Sequence, residues 1–184
     1  MAFQVTPSQT IGPFFSIGLI WDDGAYAVPE GTGGAFWIRG RVTDGDGEPV
    51  PDAVIETWQA DPDGRYSHPD DPRAGGGAFR GFARAPTDRD GAFAIHTVKP
   101  GPVPGTDGAT QAPHLAMSVF ARGLLNRVVT RVYFADEAER NAADPVLTGL
   151  PVDRRATLLA APDADGYRFD VRLQGADETV FFAV

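Results

Sequence analysis

Residues 40–68 read GRVTDGDGEPVPDAVIETWQADPDGRYSH, and this stretch decides the predicted fold. It contains the turn Asp44-Gly-Asp-Gly47 between two segments rich in β-branched and aromatic residues, Ala35–Thr43 and Pro51–Trp58. Such segments are typical of strands. Asp and Gly supply the positive φ angles of a tight turn. The stretch therefore predicts two strands joined by a hairpin-type turn.

The D-x-D-G pattern of this turn returns at residues 61–64, 88–91 and 163–166. Carboxylates at this spacing also occur in calcium loops. An EF-hand, however, needs Gly at its sixth position, a bidentate Glu at its twelfth and a helix on each side. None of the four copies provides that set, so we predict four turns.

Glycine and proline are frequent, with 22 and 16 copies in 184 residues. Both disfavour helix interiors, and here they recur between short apolar runs, which favours an all-β domain. We predict a β-sandwich with little helix and one short helix at Asp136–Ala143. Further strands are predicted at Gly91–Val98, Leu115–Ala121, Arg127–Phe134, Tyr167–Leu173 and Thr179–Val184.

Charge and composition exclude several classes of protein. The net charge of −9 argues against nucleic acid as a partner, because that affinity depends on cationic contacts to phosphate. The chain has no cysteine, which removes disulfides and thiolate sites. Met1–Thr10 shows no signal-peptide pattern, and the apolar run Ile11–Trp21 is too short to span a bilayer. We therefore expect a cytoplasmic protein without a membrane partner.

Few side chains are obvious candidates for chemistry. The chain has three histidines, His68, His96 and His114, and none stands in a paired or triad spacing. Taken alone, each is more often a surface or hydrogen-bonded residue than a ligand. Tyr66 alone would be an aromatic residue beside a turn. Residue chemistry without family information thus reaches only a β-sandwich.

Four segments in order resemble the intradiol ring-cleavage dioxygenases. The ordered set is more specific than any one segment, and with the stretches between them it covers nearly the whole chain. The resemblance implies an extended N-terminal arm and lead-in at residues 1–34, packing on a partner or active site, and a sandwich domain at residues 35–184. The segments are Thr6–Phe15 (TPSQTIGPFF), Gly40–His68, Thr97–Pro104 (TVKPGPVP) with Ala112–Gly123 (APHLAMSVFARG), and Tyr167–Val184 (YRFDVRLQGADETVFFAV).

Catalytic chains of this family hold ferric iron with two tyrosines and two histidines, donors that suit this ion. The first tyrosine lies in W-Q-A-x-x-x-G-x-Y-x-H, which this chain matches with Tyr66. The second lies in K-P-G-x-Y-P-W, where this chain has Val103. The histidines form H-x-H, here His114 and Ala116, and an arginine three residues before them is Gln111. The resemblance implies a vestigial metal site without metal and without catalytic residues in this chain alone.

This pattern of losses is similar to the α chains of family members that are built from homologous α and β chains. The resemblance implies αβ units in a larger oligomer, with ferric iron bound by the β subunit. The complex would use O2 to open 3,4-dihydroxybenzoate (protocatechuate) to 3-carboxy-cis,cis-muconate, a step of aromatic catabolism in the β-ketoadipate pathway. Phe120–Gly123 (FARG) and Glu178–Phe182 (ETVFF) support the α assignment.

The resemblance also implies that this chain lines part of the substrate pocket of its partner. Gly12 has no side chain, so the backbone of the arm could approach a ligand closely. If the strand from His114 is regular, alternation places Arg122 on the same face as Ala116. An arginine there would favour an anionic substrate. The expected pocket residues are Thr10, Gly12, Pro13, Phe14 and Arg122.

Two other functions remain open from the sequence. A self-sufficient catechol or hydroxyquinol dioxygenase is disfavoured by Val103 and Ala116. A non-enzymatic sandwich module, similar to transthyretin-like or carboxypeptidase regulatory-like domains, would explain Gly40–Ala53. It would not explain the arm or the segment Ala112–Gly123.

Overall fold

A computed structural model describes residue 12 and residues 15–73, 79–105 and 108–183 of the chain. Most of the regular structure is β-strand, as the sequence predicts. The helices are α1 (Phe15–Gly18), α2 (Ala138–Ala143), α3 (Pro145–Thr148) and α4 (Val152–Arg155). The strands are β1 (Phe36–Thr43), β2 (Val54–Trp58), β3 (Phe82–Pro86), β4 (Ala92–Thr97), β5 (Val103–Pro104), β6 (Thr110–Gln111), β7 (His114–Phe120), β8 (Val128–Phe134), β9 (Leu159–Asp163), β10 (Gly166–Arg168) and β11 (Val171–Arg172).

The strands form two faces that share one strand. One face has the order β4-β1-β10-β9, with β11 continuing along β1, and the other has the order β9-β8-β7-β2-β3. Strand β9 pairs antiparallel with β10 and parallel with β8, so it joins the faces into one nearly closed sheet. Strands β5 and β6 form a separate antiparallel pair. The all-β prediction is confirmed.

The core lies between the two faces. Ile38 and Ile95 from β1 and β4 belong to the same buried cluster as Leu115 and Met117 from β7 and Val132 from β8. Side chains alternate between the faces of a strand, so every second residue of β7 is buried in this cluster. The remaining residues of β7, from His114 onward, point away from the core. This outward face carries the candidate site.

The predicted turns are confirmed, and three of them share one geometry. The Oδ1 atoms of Asp44, Asp61 and Asp88 each accept hydrogen bonds of 2.9 Å from the backbone N–H groups two and four residues later. The fourth copy joins β9 to β10, and Asp163 accepts from the N–H of Ala164. In each copy the leading carboxylate is thus occupied by its own turn.

The first turn does not lead into a long hairpin. Thr43 and Pro49 form an isolated antiparallel bridge, and the chain then crosses from the first face to the second. Strand β2 pairs with β3 and β7, whereas β1 pairs with β4. The D-x-D-G turn therefore reverses the chain locally and delivers the next strand to the opposite face.

Two of the predicted C-terminal strands differ from the structure. Tyr167–Leu173 is divided into β10 and β11, because the Asp170 carboxylate, in place of a backbone carbonyl, accepts from the N–H of Arg41. The strand predicted at Thr179–Val184 is wrong for its described residues. This segment contacts β8 through a bond from Phe182 to Val129 and a side-chain bond from Thr130, and these do not form a ladder.

The second half of the N-terminal segment packs on the sandwich. Ala27 and Val28 are buried. The N–H of Ala27 donates to the carbonyl oxygen of His96 in β4, and the carbonyl oxygen of Ala27 accepts from the N–H groups of Arg80 and Gly81. The division at residue 34 stays a prediction. Within the described ranges, no helix is both long and apolar enough to cross a membrane.

Candidate functional site

Two glycines bring the first candidate loop against the segment that leads into β5. Gly64 has a φ of +76°, and a Cβ there would lie 2.2 Å from the carbonyl oxygen of Pro102. A Cβ on Gly101 would lie 2.4 Å from the carbonyl oxygen of Pro62. Both positions therefore exclude a side chain. The close backbone contact fixes the loop that carries Tyr66 beside the start of β5.

The second pair of candidate positions lies on the outward face of β7. His114 and Ala116 are two residues apart, so they share a face. On the neighbouring strand β8, Tyr133 is the register partner of His114, and Arg131 is the register partner of Ala116. On the other side of β7, Ala116 pairs with Trp58 of β2. The pairing thereby brings together five residues from three neighbouring strands, β2, β7 and β8.

Tyr66 is half-buried against an aromatic wall. Its ring stacks on that of Trp58, with centroids 6.1 Å apart and planes 9° from parallel. Its backbone N–H donates to Asp71 Oδ2 at 2.9 Å. Burial raises the pKa of the Tyr66 hydroxyl, and the Arg131 charge opposes that rise. The phenol is therefore protonated at neutral pH.

A cleft of about 730 Å³ opens in front of this wall. Its floor is aromatic and its rim carries both signs of charge. Asp71 and Arg73 close the rim with an ion pair of 2.9 Å, and the Arg73 guanidinium holds the pKa of the Asp71 carboxyl well below its usual range. The lining residues are Trp58, Tyr66, His68, Asp70, Asp71, Pro72, Arg73 and Pro104.

Val103 and Gln111 stand opposite each other in the small β5–β6 pair. The Val103 side chain is buried and has no lone pair. Gln111 carries an amide, and its Oε1 accepts from Arg131 Nη1 at 2.9 Å. The position of the second tyrosine ligand therefore holds an aliphatic side chain that cannot bind a metal. The amide of Gln111 opposite it already accepts a hydrogen bond from Arg131.

His114 is buried and neutral. Its Nδ1 lies 2.8 Å from the carbonyl oxygen of Ala112, so Nδ1 carries the proton and Nε2 keeps a lone pair. Burial lowers the pKa of His114 to about 4. The hydrogen bond to Ala112 opposes that shift, while the nearby Arg131 charge adds to it.

Arg131 is the residue of this site that sequence reasoning missed. Its Nη1 donates to Gln111 Oε1 at 2.9 Å and to Tyr133 Oη at 3.1 Å. Tyr133 in turn donates to Asp144 Oδ1 at 3.2 Å. The available signal was an arginine inside the predicted strand Arg127–Phe134, where apolar neighbours indicate a half-buried position.

The four positions do not fit ferric iron. Tyr66 and His114 retain one donor atom each, whereas Val103 and Ala116 offer none. The Arg131 guanidinium lies among them, and a fixed cation disfavours a second one nearby. Two donors beside a positive charge are a poor match for an ion that prefers several anionic oxygen ligands.

Four of the five predicted pocket residues belong to the N-terminal segment. Thr10, Pro13 and Phe14 fall outside the described residues. Gly12 is described, with a φ of +72°, a conformation that favours glycine. The N-terminal part of the predicted pocket stays a prediction.

Arg122 lies beyond the end of β7. The strand stops at Phe120, so the alternation predicted from His114 does not reach this arginine. Its side chain is 76% exposed, and Nε lies 2.8 Å from Asp52 Oδ2. Arg122 is therefore a surface cation, separated from His114 by the length of the strand.

Comparison with known proteins identifies the family of this chain. A family model described as Dioxygenase matches residues 12–175, which is most of the chain. The chain belongs to the intradiol dioxygenase family. It is 46% identical over 196 residues to the protocatechuate 3,4-dioxygenase alpha chain of Burkholderia cepacia, with 97% of each chain covered.

A second relative and a solved structure show further similarities of this chain. It is 34% identical over 159 residues to the protocatechuate 3,4-dioxygenase beta chain of Burkholderia cepacia, covering 77% of this chain and 65% of that one. A solved dioxygenase domain from Streptomyces sp. SirexAA-E, part of a fusion with a carbohydrate-binding protein, superposes with a TM-score of 0.61. It is 26% identical, and the match covers 94% of this chain and 100% of that domain. The predicted fold type is confirmed.

Proposed function

We propose that this chain is the iron-free α subunit of a protocatechuate 3,4-dioxygenase. The observation that carries the proposal is its 46% identity to an α chain over nearly the full length of both, against 34% to a β chain. The loss of two donors at Val103 and Ala116 supports the same assignment. The complex opens the ring of 3,4-dihydroxybenzoate with O2, and the iron belongs to the β subunit.

In this proposal the chain contributes a rigid scaffold and part of the partner's pocket. Six residue steps of about 3.3 Å separate His114 from Phe120, so the end of β7 lies roughly 20 Å from His114. Arg122 follows beyond that end and is exposed, so we do not assign it to the vestigial metal site of this chain. An exposed guanidinium beyond that end can instead approach the active site of a β subunit, where it would attract the carboxylate of the substrate.

The self-sufficient dioxygenase is the competing function within the same family, and metal content separates the two. We would express the chain alone, the β subunit alone and both together, and measure iron, visible absorbance and O2 uptake. We expect tyrosinate absorbance and activity only in preparations that contain β, and full activity only with both chains. One tightly bound iron per chain in the α preparation, with ring cleavage, would contradict the proposal.

A further inference from the structure

The guanidinium of Arg131 connects the two positions at which donors have been lost. Arg131 is the register partner of Ala116 across β7 and β8. Its Nη1 donates to Gln111, which is the register partner of Val103 across β5 and β6. The side chain thus begins beside one lost ligand position and ends beside the other.

The two positions that keep a donor are also close to this cation. The His114 ring lies 5.3 Å from that of its register partner Tyr133, whose hydroxyl accepts a hydrogen bond from Arg131. The Tyr66 ring stacks on Trp58, and Trp58 and Arg131 are the register partners of Ala116 on its two sides. All four positions of the metal pattern are therefore linked to Arg131 through at most two intervening residues.

The charge of Arg131 is not cancelled by a direct ion pair in the part of the chain that the structure describes. None of the ion pairs there includes Arg131. Its link to a carboxylate is indirect, through the hydroxyl of Tyr133 to Asp144. Tyr133 and Asp144 are fully buried, so this relay holds the guanidinium in place from the inside of the domain.

We propose that the Arg131 guanidinium supplies the positive charge of the vestigial metal site in place of a metal ion, and that this charge prevents a metal ion from binding there. The inference deepens the proposed function, since it rests on the chain being an iron-free subunit. It adds a cause beyond the missing donors. Replacing the donors alone leaves the guanidinium where it is, hydrogen-bonded to Gln111 and Tyr133.

Restoring the donor pattern should therefore fail unless Arg131 is changed as well. Val103→Tyr with Ala116→His supplies the missing phenol and imidazole. At the effective dielectric of a partly buried site, a like charge a few ångströms away weakens cation binding by about a hundredfold or more. We expect the double variant to remain nearly free of iron despite its complete donor set.

The experiment compares this double variant with three derivatives of it. Arg131→Gln and Arg131→Met each remove the charge, with a polar and an apolar side chain, so that one can serve if the other fails to fold. Arg131→Lys keeps the charge, and Arg127→Gln is the matched control, because it removes an exposed arginine just before the same strand. Each protein is loaded with iron, then assayed for bound metal, visible tyrosinate absorbance and melting temperature.

We expect roughly one iron per chain and a visible band in the folded Gln or Met derivative, and little of either with Lys or with the Arg127 control. Stoichiometric iron in the double variant with Arg131 in place would overturn the inference. So would an iron-free result in a folded derivative that lacks the charge. Neither result touches the proposed function, which fails separately if the unaltered chain binds iron by itself.

Discussion

Tyr133 and Asp144 are joined by a hydrogen bond of 3.2 Å from the phenol to the carboxylate Oδ1, and both side chains are fully buried. The same carboxylate accepts from the backbone N–H groups of Val146 and Leu147 at 2.8 and 3.0 Å, and so caps α3. Its other oxygen accepts from the N–H of Ala112 at 2.8 Å. The relay that holds Arg131 is therefore anchored to a helix start and to the segment before β7.

Removal of the Tyr133 hydroxyl should destabilise the domain. Tyr133→Phe leaves one N–H of Arg131 without its acceptor and removes one of the three hydrogen bonds that Asp144 Oδ1 accepts. The loss of such hydrogen bonds to charged groups costs about 1–3 kcal/mol. Urea unfolding measures the loss. The matched control is Tyr66→Phe, since the Tyr66 ring is only half-buried and its packing on Trp58 is kept. If Tyr133→Phe and Tyr66→Phe lowered the free energy of unfolding equally, the hydrogen bonds that link Arg131, Tyr133 and Asp144 would have no special role in stability.

The stability of the chain should fall in mild acid because of His114. Its pKa is about 4 in the folded state against 6.5 for the free side chain, so the unfolded chain binds more protons between these values. Stability is therefore unaffected by this group above about pH 6.5 and declines as the pH falls toward 4. The largest loss from this group is about 3 kcal/mol, and urea unfolding from about pH 7 to pH 4.5 measures it.

His114→Asn should flatten that pH dependence, because the amide can donate to Ala112 and does not titrate. His68→Asn changes an exposed histidine and serves as the control. If the free energy of unfolding still fell with pH to the same extent in His114→Asn, and no longer fell in His68→Asn, His114 would not be the source of the pH dependence. Measuring the isolated chain and the complex separately would show whether the partner alters the effect.

The close backbone contact at Gly64 should make this glycine hard to replace. Gly64→Ala places a Cβ 2.2 Å from the carbonyl oxygen of Pro102 at a φ of +76°, so it combines a clash with backbone strain. Gly31→Ala isolates the strain, because Gly31 has a φ of +79° and nothing within 4 Å of the added Cβ. We expect a loss of about 1–2 kcal/mol for Gly31→Ala and about 3 kcal/mol or more for Gly64→Ala.

A second readout ties that loss to the site. Tyr66 follows Gly64 by two residues and stacks on Trp58, so a displaced loop should weaken the near-ultraviolet circular dichroism of this aromatic pair. Gly31→Ala should leave the signal intact in the folded protein. Similar losses of stability in the two variants, with unchanged dichroism, would show that the loop accommodates the Cβ.

The sequence predicted the parts of the fold that depend on local patterns. Turn chemistry at Asp44, Asp61 and Asp88 and strand alternation in β7 are both local, and both were confirmed. The short strand β3 and the wrongly predicted strand at Thr179–Val184 depend on which backbone lies alongside, and sequence patterning does not contain that information. Strand β9 begins after α4, and its role in joining the two faces was likewise not predictable.

The sequence could name Tyr66 and His114 as candidate positions because a family motif covers each of them. Arg131 was missed because its role depends on register across two strand pairs, which places it beside Ala116 and Gln111 at once. Arg122 shows the opposite case. Strand alternation predicted that Arg122 would lie on the same face as Ala116. Strand β7 ends at Phe120, two residues before Arg122, and the arginine is exposed at the surface.

The proposed contact of Arg122 with the partner's pocket gives the last prediction. In the αβ complex, Arg122→Ala should raise the KM for protocatechuate, with iron content unchanged. Loss of one charge contact to the substrate carboxylate corresponds to about 1–3 kcal/mol. The substitution also removes the pair with Asp52, but an exposed ion pair contributes at most about 1 kcal/mol, so folding should be nearly unaffected.

Two further variants separate this role from a general loss of positive charge. Arg127→Ala removes another exposed arginine nearby and should leave the KM unchanged. Gly12→Val adds a side chain at a φ of +72° in the arm and should raise the KM if the arm reaches the same pocket. Because the substrate is an anion, the effect of Arg122→Ala should shrink as salt is added, whereas a purely steric effect of Gly12→Val should not. If iron-loaded Arg122→Ala and Gly12→Val complexes both showed unaltered kinetics at low salt, the partner's pocket would be formed without this chain's arm and turn.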